Sequence, residues 1–490
     1  MPAYIGLRLT SGWLGVEHGD RFLVARIFKH PWQLSILWCS LLALVCLAIS
    51  PGLAIWLLAI ADPAKEISSY RFPDWDLIFI FVLVHYSIPA ALGLYHSRQR
   101  GMMLSIFFRV LVGAVCSWAV LSFMLHWGLG SDFSVRWLLV ASVLASLQLL
   151  AIRMVLEKLS QREWFKKKVV ILGVGRRAAA LLKLRRRTDR RGFKIIGFIP
   201  CDGDDKNLVP RELWVSAEQG LVQYCSDHMV DEVVVAMDDR RLNFPMHELL
   251  SCRLDGIRVT ELIDFLERET GKVFLDVINP SWIVFSGGFS NGRMHALLER
   301  VADLVASSLL LVVTSPLMLI AFIAIKIEDG FSAPVLYGQI RVGAHDKRFR
   351  LFKFRSMRVD AESDGQAVWA KPQDARITRV GKIIRGLRVD ELPQIINVFR
   401  GEMSFVGPRP ERPEFYERLE QKVPYYRERT QVKPGITGWA QICYPYGSSD
   451  KDAVEKLQYD LYYIKNHDLL LYFLIILQTV EVILWRKGAR

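Results

Sequence analysis

The sequence predicts a membrane protein of mixed α and α/β class. It has four N-terminal transmembrane helices, a Rossmann-like parallel α/β domain, and a monotopic catalytic domain with a re-entrant helix. Three observations carry that prediction. Apolar residues make up 52% of the 490, and they gather into long runs. A glycine turn, Gly173-Val-Gly175, separates a strand-like run from an alanine-rich, helix-like one. The last two hundred residues combine one more long apolar run with clustered arginines and an Asp-Glu pair. The expected segments are 1–157, 158–285 and 286–490.

The membrane segment rests on apolar runs at 34–61, 77–95, 103–127 and 137–156. Each is near the ~20 residues that cross a bilayer core. Basic residues then set the orientation. Arg21, Arg26 and Lys29 precede the first run, Arg98 and Arg100 follow the second, and Lys158, Arg162 and Lys166 follow the fourth. The loops between are acidic or sparse in charge: one sets Lys65 and Arg71 against Asp62, Glu66, Asp74 and Asp76, and the other has only Asp132 with Arg136. The N-terminus and everything after residue 156 are therefore expected on the cytoplasmic side of a bacterial inner membrane. The first thirty residues lack a cleavable-signal pattern. The seven cysteines form no C-x-x-C pair, which argues against a disulfide framework or zinc knuckle. A net charge of +13 points to an anionic bilayer surface or phosphorylated substrates, because no nucleic-acid motif accompanies it.

From Lys168 the texture changes. A buried strand, the glycine turn and a helix are expected, with further strands at 194–199 and 232–237. Gly173-x-Gly175-x-x-Ala178 stands where a dinucleotide fingerprint would. The acidic residue that should follow the second strand is displaced by Pro200 and Cys201, ahead of Asp202. The turn thus reads first as strand–helix packing in a structural or dimerising domain, with nucleotide binding as the alternative. Arg185–Arg187, Arg190 and Arg191 read as a solvated face.

FSGGFSNGR at 285–293 is the expected linker to the last domain. The apolar run at about 301–325 is long enough to span, yet Ser315 and Pro316 interrupt it, and proline removes a backbone donor. Both flanks are basic: Arg293 and Arg300 before it, Lys326, Arg341 and Lys347 after it. A helix that enters, breaks at Ser315-Pro316 and returns to the same face accounts for this; a kinked spanning helix is the alternative. Residues 469–485 carry Gln478 and Glu481, which suits an interfacial helix.

The chemistry centres on RGLRVDELPQIINVFRGEMSFVGPRP at 385–410. Asp390 and Glu391 sit among Arg385, Arg388, Arg400 and Arg409. Adjacent carboxylates between fixed cations suit a phosphate with a divalent ion: one attacks phosphorus or takes a proton while the other holds Mg²⁺. FRLFKFRSM alternates apolar and basic residues, so a strand is expected to deliver Lys353 and Arg355. Tyr425, Tyr426, Tyr459, Tyr462 and Tyr463 read as core, the lone His345 and His467 as structural, and the polar stretch 366–376 as a lid.

Five motifs in order, Ser315-Pro316, KFRSM, DELPQ, MSFVGPRP and KPGITGWAQ, resemble the bacterial sugar transferase family, the polyisoprenyl-phosphate hexose-1-phosphate transferases. PERPEF and the stretch from YPYGSSD onward resemble the branch associated with PEP-CTERM/exosortase exopolysaccharide clusters. The resemblance implies a re-entrant helix and transfer of hexose-1-phosphate, glucose or galactose, from a UDP-sugar to undecaprenyl phosphate with release of UMP. It implies Asp390 as covalent nucleophile and Glu391 as Mg²⁺ ligand, beside Lys353. Arg355, Arg385, Arg409 and Lys433 are the expected substrate-binding residues. The expected partners are the two substrates, membrane lipids and a second copy of the chain, with no nucleic acid. Two rivals stand: an NAD-dependent nucleotide-sugar dehydratase or epimerase, disfavoured because Tyr224 begins no Tyr-x-x-x-Lys set, and a non-catalytic scaffold of polysaccharide export.

Overall fold

Uniformly apolar stretches have no partner for their backbone groups except one another, so they fold as helices. Four such helices come first: α1 (Pro31–Ala61), α2 (Trp75–Ala91), α3 (Met103–Phe123) and α4 (Val135–Ser160). They fall on the four predicted runs. The computed structural model describes residues 31–61, 75–92, 94, 103–128, 135–160, 166–184, 192–278, 292–358, 376–444 and 449–484. The basic run at 185–191, most of the linker and nearly all of the expected lid lie outside these residues. Ala43, Ala54, Ala141 and Ala145 pack inward with Leu47 and Phe81. Trp56, Phe79, Val115 and Phe123 face outward. Small residues inside and large apolar ones outside suit a lipid surround. Ser50 Oγ donates to Gln148 Oε1 at 2.8 Å, tying α1 to α4. Two stretches here, Ile106–His126 and Arg136–Val155, are long and apolar enough to cross a membrane, as is Arg293–Asp329 further on.

Contacts divide the chain into two units, Met1–Thr270 and Gly271–Arg490. The first also holds a parallel sheet of β1 (Lys167–Leu172), β2 (Phe193–Ile199), β3 (Glu232–Val235) and β4 (Arg258–Glu261), in the order β2-β1-β3-β4. Val169–Leu172 and Val233–Val235 are buried without alternation, as strands covered on both faces must be. The covering helices are α5 (Arg176–Leu182), α6 (Leu221–Asp227), α7 (Met246–Leu254) and α8 (Leu262–Thr270). The edge strand β4 was not anticipated, because RVTE is short, charged and half-exposed. Glu232 is 1% exposed and receives Arg268 through two parallel bonds, 2.9 and 2.8 Å. Removing the cation strands a buried carboxylate, so Arg268→Ala should cost about 3 kcal/mol, read as a lowered thermal midpoint.

The second unit starts earlier than the linker composition suggests. Val273 N donates to Gln458 O at 3.0 Å, and Lys272 pairs with Glu455 at 2.9 Å, so Gly271–Ile278 pack with later residues. Next comes α9 (Arg293–Asp329). Here the expected break is corrected: α9 stays helical through Ser315 and Pro316. Pro316 has no N–H for the Val312 carbonyl, and Ser315 Oγ donates to that carbonyl at 2.9 Å instead.

The rest builds a layer against the two ends of α9. It comprises the hairpin β5 (Leu336–Val342) with β6 (Arg348–Phe354), α10 (Arg379–Gly386), a 3₁₀ turn (Val389–Gln394) and α11 (Ile395–Arg400). β7 (Ser404–Val406) pairs in parallel with β8 (Gly435–Thr437). α12 (Pro413–Lys422), α13 (Trp439–Cys443), α14 (Asp450–Lys465) and α15 (Leu469–Leu484) complete the unit. Tyr426, Tyr459, Tyr462 and Tyr463 are core, as expected. Arg300, near the start of α9, donates to the Val398 and Phe399 carbonyls at the end of α11, at 2.6 and 2.7 Å. Glu328, near its other end, accepts the Arg379 and Val380 N–H groups that open α10, at 2.8 and 2.9 Å. Each is a charge-matched cap on a helix terminus. Between them Leu309, Val312, Val313 and Ile320 remain more than half exposed.

Candidate active site

Asp390 and Glu391 lie in the first turn of the 3₁₀ segment between α10 and α11. The turn is set by Arg388, whose backbone is left-handed (φ 59°, ψ 18°), a costly conformation for a side chain with Cβ. Val389 then enters the apolar cluster of Ala321, Ile325, Phe354 and Ile384, which carries the carboxylates inward behind it. β6 delivers Lys353 alongside. Asn397, fully buried, holds that alignment: its Oδ1 accepts Phe352 N–H at 3.0 Å, and its Nδ2 donates to Arg350 O at 2.7 Å.

The two carboxylates have different surroundings. Glu391 Oε1 accepts Lys353 Nζ at 3.0 Å and Arg409 Nη2 at 2.7 Å, while Oε2 lies 3.8 Å from Arg388 Nη1. Burial alone would raise its pKa, but Arg409 and Lys353 hold it well below the ordinary range. Burial lowers that of Lys353, which Glu391 opposes. Asp390 is 9% exposed, and among the described residues no hydrogen bond or ion pair holds its carboxylate. Burial and the neighbouring Glu391 push its pKa up, against the charges of Lys353, Arg385 and Arg388. One acid is clamped as a permanent anion and the other is left available.

Lys353, Arg409 and Glu391 are therefore brought together as the sequence suggested, with Arg385 within electrostatic range. Arg355 follows β6, and its Nη1 is buried with no hydrogen-bond partner among the described residues. Lys433 interacts electrostatically with Glu299 and makes no described contact with the carboxylate pair. Arg388, named in the sequence only as one of the cations around the pair, has a role of its own, at i, i+3 spacing from Glu391. Arg429 was missed. Buried beside Asp460, it donates to the Arg409 carbonyl at 3.0 Å and so fixes the loop that presents Arg409.

That loop owes its path to glycine. A Cβ on Gly407 would lie 2.3 Å from Lys433 O, and one on Gly435 2.0 Å from Gly407 N, so the two motifs meet backbone to backbone. Gly407→Ala should lower stability by about 1–3 kcal/mol, measured as a fall in thermal midpoint, with displacement of Arg409.

The middle-domain turn has its own occupant. Asp238 accepts Arg176 N–H at 2.7 Å and Arg177 N–H at 2.8 Å, and Asp204 accepts Val174 N–H at 2.8 Å. A Cβ on Gly175 would meet Asp238 Oδ2 at 2.0 Å, so the glycine makes room for the chain's own carboxylate.

Comparisons with known proteins bear on both regions. Residues 294–486 match the family model described as bacterial sugar transferase, and residues 90–243 match one described as a CoA-binding domain. A UDP-N-acetylgalactosamine-undecaprenyl-phosphate N-acetylgalactosaminephosphotransferase of Aeromonas hydrophila is 39% identical over 53% of this chain, which spans 60% of that relative. An undecaprenyl-phosphate galactose phosphotransferase of Salmonella typhimurium is 30% identical over 66% of this chain and 70% of its own length. An uncharacterized sugar transferase of Bacillus subtilis is 38% identical over 39% of this chain and 90% of its own length. The glycine turn does not fit a coenzyme phosphate, because Asp238 and Asp204 already take the N–H groups a phosphate would use.

Proposed function

Because this chain belongs to the bacterial sugar transferase family, we propose that it transfers a hexose-1-phosphate from a UDP-sugar to undecaprenyl phosphate, releasing UMP. The observation that carries this reading is the division of labour between Glu391, clamped by Lys353 and Arg409, and Asp390 beside it, whose carboxylate has no hydrogen bond or ion pair among the described residues. An Asp390 oxygen attacks the phosphorus that bears the sugar. An Asp390–phosphorus bond forms, the diphosphate P–O bond breaks, and UMP leaves with the bridging oxygen. A phosphate oxygen of the acceptor then attacks the same phosphorus, displacing the Asp390 carboxylate and giving the lipid diphosphate sugar. Arg409, with its planar fork, and the buried Arg355 Nη1 suit the diphosphate. Splitting one displacement into two lets the two anionic substrates react in turn rather than together.

A carboxylate oxygen beside the diphosphate oxygens fits Mg²⁺, and Glu391, through Oε2, would hold it; bound there, the ion would supply charge neutralisation on the diphosphate. The distinguishing experiment is UMP release from a panel of UDP-sugars by nanodisc-held protein with undecaprenyl phosphate and Mg²⁺, repeated in EDTA. Release from one donor, lost with EDTA, is the expected result and identifies the sugar, glucose and galactose being the leading candidates. Absence of release from folded protein with every donor would favour the scaffold alternative.

The nucleophile must be ionised, and its pKa is raised, so activity falls as acid protonates it. The acid limb of kcat/KM should therefore lie above the ~3.9 of an ordinary aspartate. A limb at or below the ordinary value would contradict the burial argument.

In this reading α9, unbroken but bent at Pro316, enters the inner membrane from the cytoplasmic side and returns to it. Support comes from Arg300 and Glu328, on either side of Ser315-Pro316, both gripping the α10–α11 layer while the apolar stretch between them is exposed. The four N-terminal helices span, and the product opens exopolysaccharide assembly. A homodimer through the α/β region is favoured by the exposed stripe of Met246, Leu250 and Leu254 on α7.

A further inference from the structure

We propose that His295, Glu299 and His467 form a site for a transition-metal ion, Zn²⁺ above all, that clasps the start of α9 to the joint between α14 and α15. His295 and Glu299 are four residues apart on α9 and so share one face. His467 arrives from the joint, and one ligand atom from each of the three lies within 4.8 Å of the others. His467 Nε2 stands 3.6 Å from Glu299 Oε1. That is close to the roughly 3.3 Å between ligand atoms that bonds near 2 Å and tetrahedral angles impose. The two imidazoles meet edge to face with centroids 4.9 Å apart, and His295 Nε2 is buried with no hydrogen-bond partner among the described residues. A buried imidazole nitrogen in that state costs free energy that a metal bond would offset.

The chemistry of the donors selects the ion. Two imidazole nitrogens and one carboxylate oxygen suit Zn²⁺ with a water in the fourth position, whereas Mg²⁺ and Ca²⁺ prefer oxygen throughout. This site is therefore different in kind from the carboxylate pair at Asp390 and Glu391. The surrounding groups orient the ligands as outer partners do in metal sites. Ser404 Oγ lies 3.2 Å from Glu299 Oε1 and 2.9 Å from Asp303 Oδ1, and fully buried Asp303 also accepts Phe405 N–H and Tyr472 O–H, each at 2.7 Å. Through Ser404 the site reaches β7, the strand that leads into Gly407 and Arg409. A metal here would hold three elements together: the membrane-directed helix, the C-terminal apolar helix and the strand behind the Arg409 loop.

The test uses the full chain in nanodiscs, stripped with chelator and re-exposed to Zn²⁺ or Co²⁺. The expected results are one Zn²⁺ per chain by elemental analysis, a visible Co²⁺ band of tetrahedral type, and a higher thermal midpoint with Zn²⁺. His295→Ala should weaken Zn²⁺ binding at least about 100-fold and abolish the Zn²⁺-dependent rise. Because His467 is packed against Tyr463, Glu299→Gln is the second variant, and it should lose the Co²⁺ band while keeping its far-ultraviolet spectrum. His247→Ala, on exposed α7 surface, should bind as wild type. Wild-type protein that retains no Zn²⁺ and shows no Co²⁺ band, or a His295→Ala variant that binds as tightly as wild type, would overturn the proposal.

Discussion

The Asp390→Asn variant should lose UMP release by ~10³-fold or more, with UDP-sugar binding altered only a few-fold. The amide keeps the shape of the carboxylate and cannot form the bond to phosphorus. Stability should move the other way. The folded pKa of Asp390 lies above its unfolded value, so its ionisation opposes folding as pH rises through that value. Asparagine removes the opposition, and at pH 8 the variant should melt at or above the wild-type temperature. Lost turnover with a lowered midpoint would mean that Asp390 acts through the fold rather than on the substrate.

Glu391→Gln should produce the second large effect, with the opposite stability sign. Neutralising it leaves Lys353 and Arg409 without the anion they share, and Lys353 is largely buried. Breaking such a cluster from one side costs about 3 kcal/mol, which calorimetry would register as a clear fall in midpoint. Activity should drop by ~10²-fold or more, because Arg409 loses its anchor and the proposed Mg²⁺ ligand is gone. The residual activity carries a further signature. Glu391 is one of the groups that raise the Asp390 pKa, so its removal should shift the acid limb of the pH profile downward. A variant that is inactive yet as stable as wild type would contradict the clamp.

The parts of this molecule that could be read from its sequence are those where neighbours in the chain decide the outcome. Apolar runs became helices α1 to α4, and the outward side chains described on them are largely apolar as well. Lys353, Glu391 and Arg409 could be grouped because three motifs recur in a fixed order, although they lie on β6, the 3₁₀ turn and the loop after β7. What stayed hidden depends on distant partners. Asp238 reaches the glycine turn from sixty-two positions away, so the sequence favours packing over phosphate binding there without showing the carboxylate that fills the turn. Lys433 stands just ahead of β8, and its described electrostatic partner is Glu299 on α9, a pairing that the sequence does not show. Ser315-Pro316 looked like a break because the serine's repair of the Val312 carbonyl is invisible until the helix is built. His467 seemed a lone histidine until the fold set it against His295.

The most direct measurement of the central claim is mass spectrometry of protein incubated with its UDP-sugar and Mg²⁺ in the absence of undecaprenyl phosphate. The covalent account predicts one burst of UMP per active site and a hexose-phosphate increment on the peptide that contains Asp390. Adding undecaprenyl phosphate should discharge the increment. Turnover with both substrates, but with no burst and no labelled peptide when the acceptor is withheld, would contradict it and point to direct transfer between the two substrates.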